Sequence, residues 1–167
     1  CFLEYCRIGR NNKLIAGCYI GTPPQDYKYG GEKTYVEIGD DNIIREGASI
    51  HRGTPSGHRL TKLGSGCFLM ANSHIGHDCM VGDRVIMVNS SALAGHTMVE
   101  NNVILSGLVG VHQFTRIGRF AMLSGGSMAN QDIIPFVIAQ GDRAKPVGLN
   151  LVGLKRAGFG IDKIKSI

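Results

Sequence analysis

Tryptophan is absent from the 167 residues, and aromatics make up only 7%. That composition suits a narrow aliphatic core. No apolar stretch approaches the ~20 residues that cross a bilayer, and no signal-peptide pattern opens the chain, so stable membrane insertion is not expected. No run of like charges occurs: 18 Lys+Arg stand against 13 Asp+Glu, a formal +5 with a pI near 9.1. The mild excess suits acidic partners, such as phosphorylated substrates or an acidic carrier protein. No basic run interleaves with aromatics, so nucleic acid is not an expected partner. The five cysteines are odd in number and form no C-x-x-C. Cys6, Cys18, Cys67 and Cys79 share one position of the repeat below, which suits small apolar packing better than disulfides and points to a reducing, cytoplasmic compartment. No G-x-S-x-G elbow is present.

What is present is a six-residue period. From Ile75 it runs through Val81, Met87, Leu93, Val99, Leu105, Val111, Ile117 and Leu123. Upstream, Ile8, Leu14 and Ile20, then Ile38, Ile44 and Ile50, then Leu63 and Leu69 keep the step. Small residues such as Ser73, Cys79, Ser91 and Thr97 recur four after an anchor, and glycine often follows an anchor directly. A period of six fits neither an α-helix nor a plain two-sided strand. It fits short strands joined by tight turns, one anchor pointing inward per strand, with glycine at unusual backbone angles. Three strands make a triangular coil of 18 residues, stacked on the next at roughly 4.8 Å. The expected fold class is therefore all-β: a parallel β-helix over 1–134, followed by a linker and the start of a helical region over 135–167.

Two segments depart. Between Ile20 and Ile38 the anchor slots hold Asp26 and Glu32, which a core column rejects, so 22–34 is expected as an external loop. From Ile50 to Leu63 the step is thirteen, which makes 54–60 a second loop. Loops on a rigid scaffold are where function concentrates. The chain starts with Cys1 inside the running repeat and stops in a helical pattern around Leu151, Leu154 and Phe159, with Ile161, Ile164 and Ile167 hinting at another helix. A longer parent protein is expected.

The period also places histidines. His77 lies two after Ile75, His96 three after Leu93, and His112 one after Val111. These anchors belong to one wall of successive coils, and His74 precedes Ile75, so an imidazole strip along one edge is expected. Gly95 stacks directly on His77, with Gln113 next in that slot. A bare backbone N–H beside an imidazole is what an acyl-transfer oxyanion would use. His77 would serve as general base in a direct transfer. Asp78 could orient it, although adjacent strand residues normally face opposite ways. Zinc is the competing reading, with His74 and His77 three apart and a neighbouring coil adding a nitrogen at ~2.0–2.1 Å. Asn150 and Arg156, around the short helix, could grip a phosphate.

At GTPPQDYKYGGE (21–32), IREGASIHRGT (44–54), NSHIGHDC (72–79), LAGH (93–96), VHQF (111–114), VIAQGDRA (137–144) and GLNLVGLKRAGF (148–159) the sequence resembles the acyl-carrier-protein:UDP-N-acetylglucosamine O-acyltransferases of lipid A biosynthesis. The likeness covers essentially the whole chain. It implies a left-handed coil, an exception to the usual right-handed crossover, and a homotrimer with active sites between subunits. It implies no cofactor beyond the phosphopantetheine of acyl carrier protein, which carries the acyl donor. By resemblance His77 deprotonates the glucosamine 3-hydroxyl and the Gly95 amide stabilises the oxyanion. Asp26, Lys28, His74, His96, His112 and Gln113 hold the sugar nucleotide or acyl chain, Asn150 and Arg156 lie near the nucleotide, and Gly125 influences acyl length. Val152 and Ala157 depart from the family pattern, and His58 has no role assigned by it. An N-acyltransferase of an amino-sugar nucleotide, a zinc-dependent β-helix enzyme resembling the carbonic anhydrases of this fold, and a non-catalytic scaffold are the alternatives.

Overall fold

The computed structural model describes residues 1–167. Each anchor faces inward and the chain turns a corner after it, giving three parallel walls. The first wall holds Phe2–Leu3, Tyr19–Thr22, Ser49–His51, His74–Ile75, Ala92–Leu93, Gly110–Val111 and Met128–Ala129. The second runs from Cys6–Ile8 to Arg116–Ile117, and the third from Lys13–Leu14 to Met122–Leu123 and beyond. His74 pairs with Ala92, Ala92 with Gly110, and Gly110 with Met128, so the register advances by one 18-residue coil each time. Each strand of a wall thus hydrogen-bonds to its equivalent in the coils above and below.

Ile20, Ile50, Ile75, Leu93, Met87, Leu105, Ile117 and Leu123 are fully buried, within one apolar cluster of 29 residues. Each contributes roughly 1.5–3 kcal/mol by leaving water. Cys18, Cys67 and Cys79 are buried in the small-residue slots and all five cysteines are free. Burial pushes the Cys67 thiol up to about 11 and the Cys79 thiol up to about 12, so neither is a nucleophile at neutral pH.

The corners have one chemistry. The residue three after an anchor takes a left-handed backbone: Asp78 (φ 59), His96 (φ 61), Phe114 (φ 64) and Phe120 (φ 59) are non-glycine examples, and Gly17, Gly47 and Gly66 fill the same role elsewhere. A non-glycine residue there costs roughly 1–2 kcal/mol, offset by the inter-coil ladder. Side chains at this position and the one before it therefore stack along an edge of the prism. Asp78, His96 and Phe114 occupy the edge after the first wall. Both inserted segments, between Tyr19–Thr22 and Tyr35–Ile38 and between Ser49–His51 and Leu60–Leu63, leave from that edge. Leu60 itself belongs to a strand rather than to the loop.

The stretch after the coil differs from the linker expected there. Val137–Gln140 pairs in parallel with Met122–Leu123, and Lys145–Leu149 folds back antiparallel on it. Ala139 sits beside Leu123 after 16 residues instead of 18 (139 − 123), which hides the strand from a six-residue count. Two short helices follow, α1 (Leu151–Arg156) and α2 (Ile161–Ser166). No helix is long and apolar enough to cross a membrane.

Candidate active site

The site grows from one turn. Ile75 points into the core, Gly76 leaves the wall, and His77 and Asp78 turn the corner. Because Asp78 has φ 59, its side chain does not alternate with that of His77. The two meet instead, with His77 Nδ1 2.9 Å from Asp78 Oδ2. A carboxylate can only accept, so Nδ1 carries the proton and Nε2 is left with its lone pair. The Asp78 side chain is fully buried, while that of His77 is 18% exposed.

One coil on, Gly95 lies against this ring. A Cβ built on Gly95 would fall 2.6 Å from both Cε1 and Nε2 of His77, so no larger residue fits without moving the imidazole. The Gly95 carbonyl accepts from Phe114 N at 3.2 Å, and its N–H donates to no group of the chain. His96, beside it, meets the His77 ring edge to face at 5.1 Å and stacks on Phe114 at 4.6 Å. Its Nε2 stands 3.9 Å from Asp78 Oδ2. Partial burial lowers the His96 pKa, Asp78 opposes that, and His77 and His58 add to it.

The first inserted loop closes the other side. Gln25, Asp26, Tyr27 and Lys28 line a groove of about 350 Å³ together with Ser56, His77, His96, Gln113 and Phe114. The Asp26 carboxylate accepts from the Lys28 amide at 2.9 Å. Arg52, 6% exposed, holds this loop to the coil. Its guanidinium donates to the Tyr29 hydroxyl (3.0 Å), the Gly21 carbonyl (2.7 Å) and Glu4 (3.3 Å), and lies over the Tyr5 ring.

A family model for bacterial transferase hexapeptide repeats matches residues 60–95, and the model for the second domain of UDP-N-acetylglucosamine O-acyltransferases matches 132–167. The solved UDP-N-acetylglucosamine O-acyltransferase of Moraxella catarrhalis is 40% identical, with a TM-score of 0.86 over 99% of this chain and 74% of that one. The chain belongs to the UDP-N-acetylglucosamine O-acyltransferase family. At that overlap its coil turns with the same hand as the relative's. The acyl-[acyl-carrier-protein]–UDP-N-acetylglucosamine O-acyltransferase of Alkalilimnicola ehrlichii is 49% identical over 148 residues, and that of Herminiimonas arsenicoxydans 48% over 159. They match 89% and 95% of this chain, which spans 57% and 61% of their length.

Within this family member the structure brings together His77, Asp78, Gly95, His96, Gln113, Asp26 and Lys28. It does not produce the single strip of imidazoles expected. His74 is not among the residues lining the groove; it is bonded to Ser49 Oγ (2.8 Å) and packed on His51 at 4.6 Å. His112, its Nδ1 3.1 Å from the Gln113 carbonyl, lines a separate hollow with Met128, Asp142 and Arg143. Gly125 is an exposed corner residue in open surroundings. Asn150 is spoken for by the fold: its Oδ1 accepts from Gly153 N to cap α1, and its Nδ2 donates to the Phe120 carbonyl. Arg156 is exposed in the last turn of α1.

His51 was not foreseen. It follows the anchor Ile50 as His112 follows Val111, a signal the adjoining loop hid by shifting the count. Burial, then the nearby His74 and His77, lower its pKa to about 4, and its Nδ1 is buried without a partner. His77, Asp78 and His96 are the residues that could hold a metal, with ligand atoms all within 4.8 Å of one another. A cation there would have to take Asp78 from the donors it already serves.

Proposed function

We propose that the chain carries the acyl-transfer site of an enzyme that moves a 3-hydroxyacyl group from acyl carrier protein to the 3-hydroxyl of UDP-N-acetylglucosamine, the first step of lipid A biosynthesis. The observation that carries this reading is Gly95, its amide unpaired within the chain and its Cβ position against an imidazole whose other nitrogen is bound to a buried carboxylate. His77 Nε2 takes the proton from the 3-hydroxyl as its oxygen attacks the thioester carbonyl. The oxyanion receives the Gly95 N–H. The carbon–sulfur bond then breaks, and the leaving thiolate of the phosphopantetheine takes the proton back from His77. Asp78 stabilises the imidazolium between these transfers. Asp26, Lys28, His96 and Gln113 hold the sugar nucleotide in the groove. His112 and Gly125 serve the acyl chain from the neighbouring surface, and Arg156 serves the nucleotide.

The enzyme works in the cytoplasm as a homotrimer, with no cofactor beyond the carrier's phosphopantetheine. In a transfer assay with 3-hydroxyacyl carrier protein, His77→Ala is expected to lower kcat about 10²–10⁴-fold, the usual contribution of a general base. Turnover at the wild-type rate in a folded His77→Ala protein would overturn the assignment.

A further inference from the structure

The second inserted loop, between Ser49–His51 and Leu60–Leu63, does not enter this chemistry directly. Its side chains at Ser56, His58 and Arg59 are exposed, so little apolar burial orders it. Its polar contacts converge on one group instead. Thr54 donates to Asp78 Oδ2 through both its amide (2.9 Å) and its hydroxyl (2.6 Å), and the His58 amide donates to Oδ1 (2.7 Å). With His77 Nδ1 at 2.9 Å, four donors meet this carboxylate, three at Oδ2 and one at Oδ1. From behind, Thr61 Oγ1 accepts the Asp78 amide at 2.8 Å and holds its left-handed corner. Gly57 completes the cradle: a Cβ there would fall 2.4 Å from Asp78 Cγ and Oδ1 and 2.7 Å from Oδ2.

We propose that the Thr54–Arg59 loop is a positioning device, with Thr54 and Gly57 its working residues, that locks the Asp78 carboxylate so that Oδ2 remains within reach of His77 Nδ1. Rotation of the carboxylate would break bonds to two backbone amides and a hydroxyl together. The loop thereby selects the Nδ1–H tautomer of His77 and leaves Nε2 ready to accept a proton. The exposed His58 imidazole has no part in this; its backbone N–H does.

The inference rests on the acyl-transfer reading for its kinetic consequence, but not for its structural one, and the test separates the two. The His77 ring is followed by ¹⁵N NMR in its neutral form, alongside steady-state transfer. Wild type is expected to hold a single Nδ1–H tautomer. Thr54→Val, which removes the hydroxyl donor at constant volume, should mix the tautomers and lower kcat about tenfold, with KM for UDP-N-acetylglucosamine within about twofold. Thr54→Ser should restore both readouts. Gly57→Ala, which keeps every donor but displaces the carboxylate, should act like Thr54→Val. An unchanged tautomer and kcat in both Thr54→Val and Gly57→Ala, or equal losses in Thr54→Ser and Thr54→Val, would overturn the proposal. A wild-type protein that holds the tautomer, loses it in Thr54→Val, yet transfers no acyl group would sustain the positioning device while overturning the proposed reaction.

Discussion

His51 and His74 form one pair of rings on the first wall, His77 and His96 another. The two pairs come from the same strand-and-corner repeat, yet burial divides them. His51 is 7% exposed, and the pKa of both members of its pair is lowered chiefly by loss of water. In that pair the rings pack on each other, and His74 is bonded to Ser49. In the other pair, each side chain keeps about a fifth of its surface in the groove, and Asp78 faces both rings. Imidazole becomes a base where a carboxylate orders one nitrogen and the groove exposes the other.

The largest effect that would break this comparison belongs to Gly95. Gly95→Ala drives a methyl group into the His77 ring and disturbs the free amide. We expect kcat to fall about 10²–10³-fold in the transfer assay, with the pH dependence of stability unaltered. An equal change in unfolding behaviour would mean that the two pairs are not separable.

The next belongs to His51. Below its ordinary pKa of 6.5 the unfolded chain takes up a proton that the folded protein refuses down to about pH 4. The contribution of His51 to stability is therefore constant above pH 6.5 and declines as pH falls from 6.5 toward 4, by on the order of 3 kcal/mol. Urea unfolding of His51→Leu across that window should show a shallower decline, the remainder including His74 and His96. A slope equal to wild type would show that His51 is protonated in the folded state.

The smallest concerns Phe114, which stacks on His96 from an exposed corner. Phe114→Leu should raise KM for the sugar nucleotide a few-fold, on the order of 0.5–1 kcal/mol, with kcat within about twofold. A kcat loss as large as that of Gly95→Ala would make His96 part of the proton path.

Legibility followed how local each cause was. Gly95 on His77 could be read because an uninterrupted 18-residue coil lies between them. Asp78 could be paired with His77 in the sequence only against the alternation of a strand, a rule that fails at a left-handed corner. His51 was lost because the Thr54–Arg59 loop shifts the count between Ile50 and Leu63. Val137–Gln140 was lost because its coil is two residues short. His112 and Gln113 are neighbours in sequence, yet the corner sends one to the groove and the other to a different hollow.

By itself the sequence determined the prism: which residues form the core column, how far each coil advances, and which side chains share an edge. Those follow from a repeating pattern of apolar anchors, small residues and corners that every coil obeys. Only the tertiary structure decided that the first loop brings Asp26 and Lys28 to the groove while the second folds inward onto Asp78. No repeat dictates where an insertion goes; unpaired amides and a buried carboxylate from distant coils settle it by finding each other.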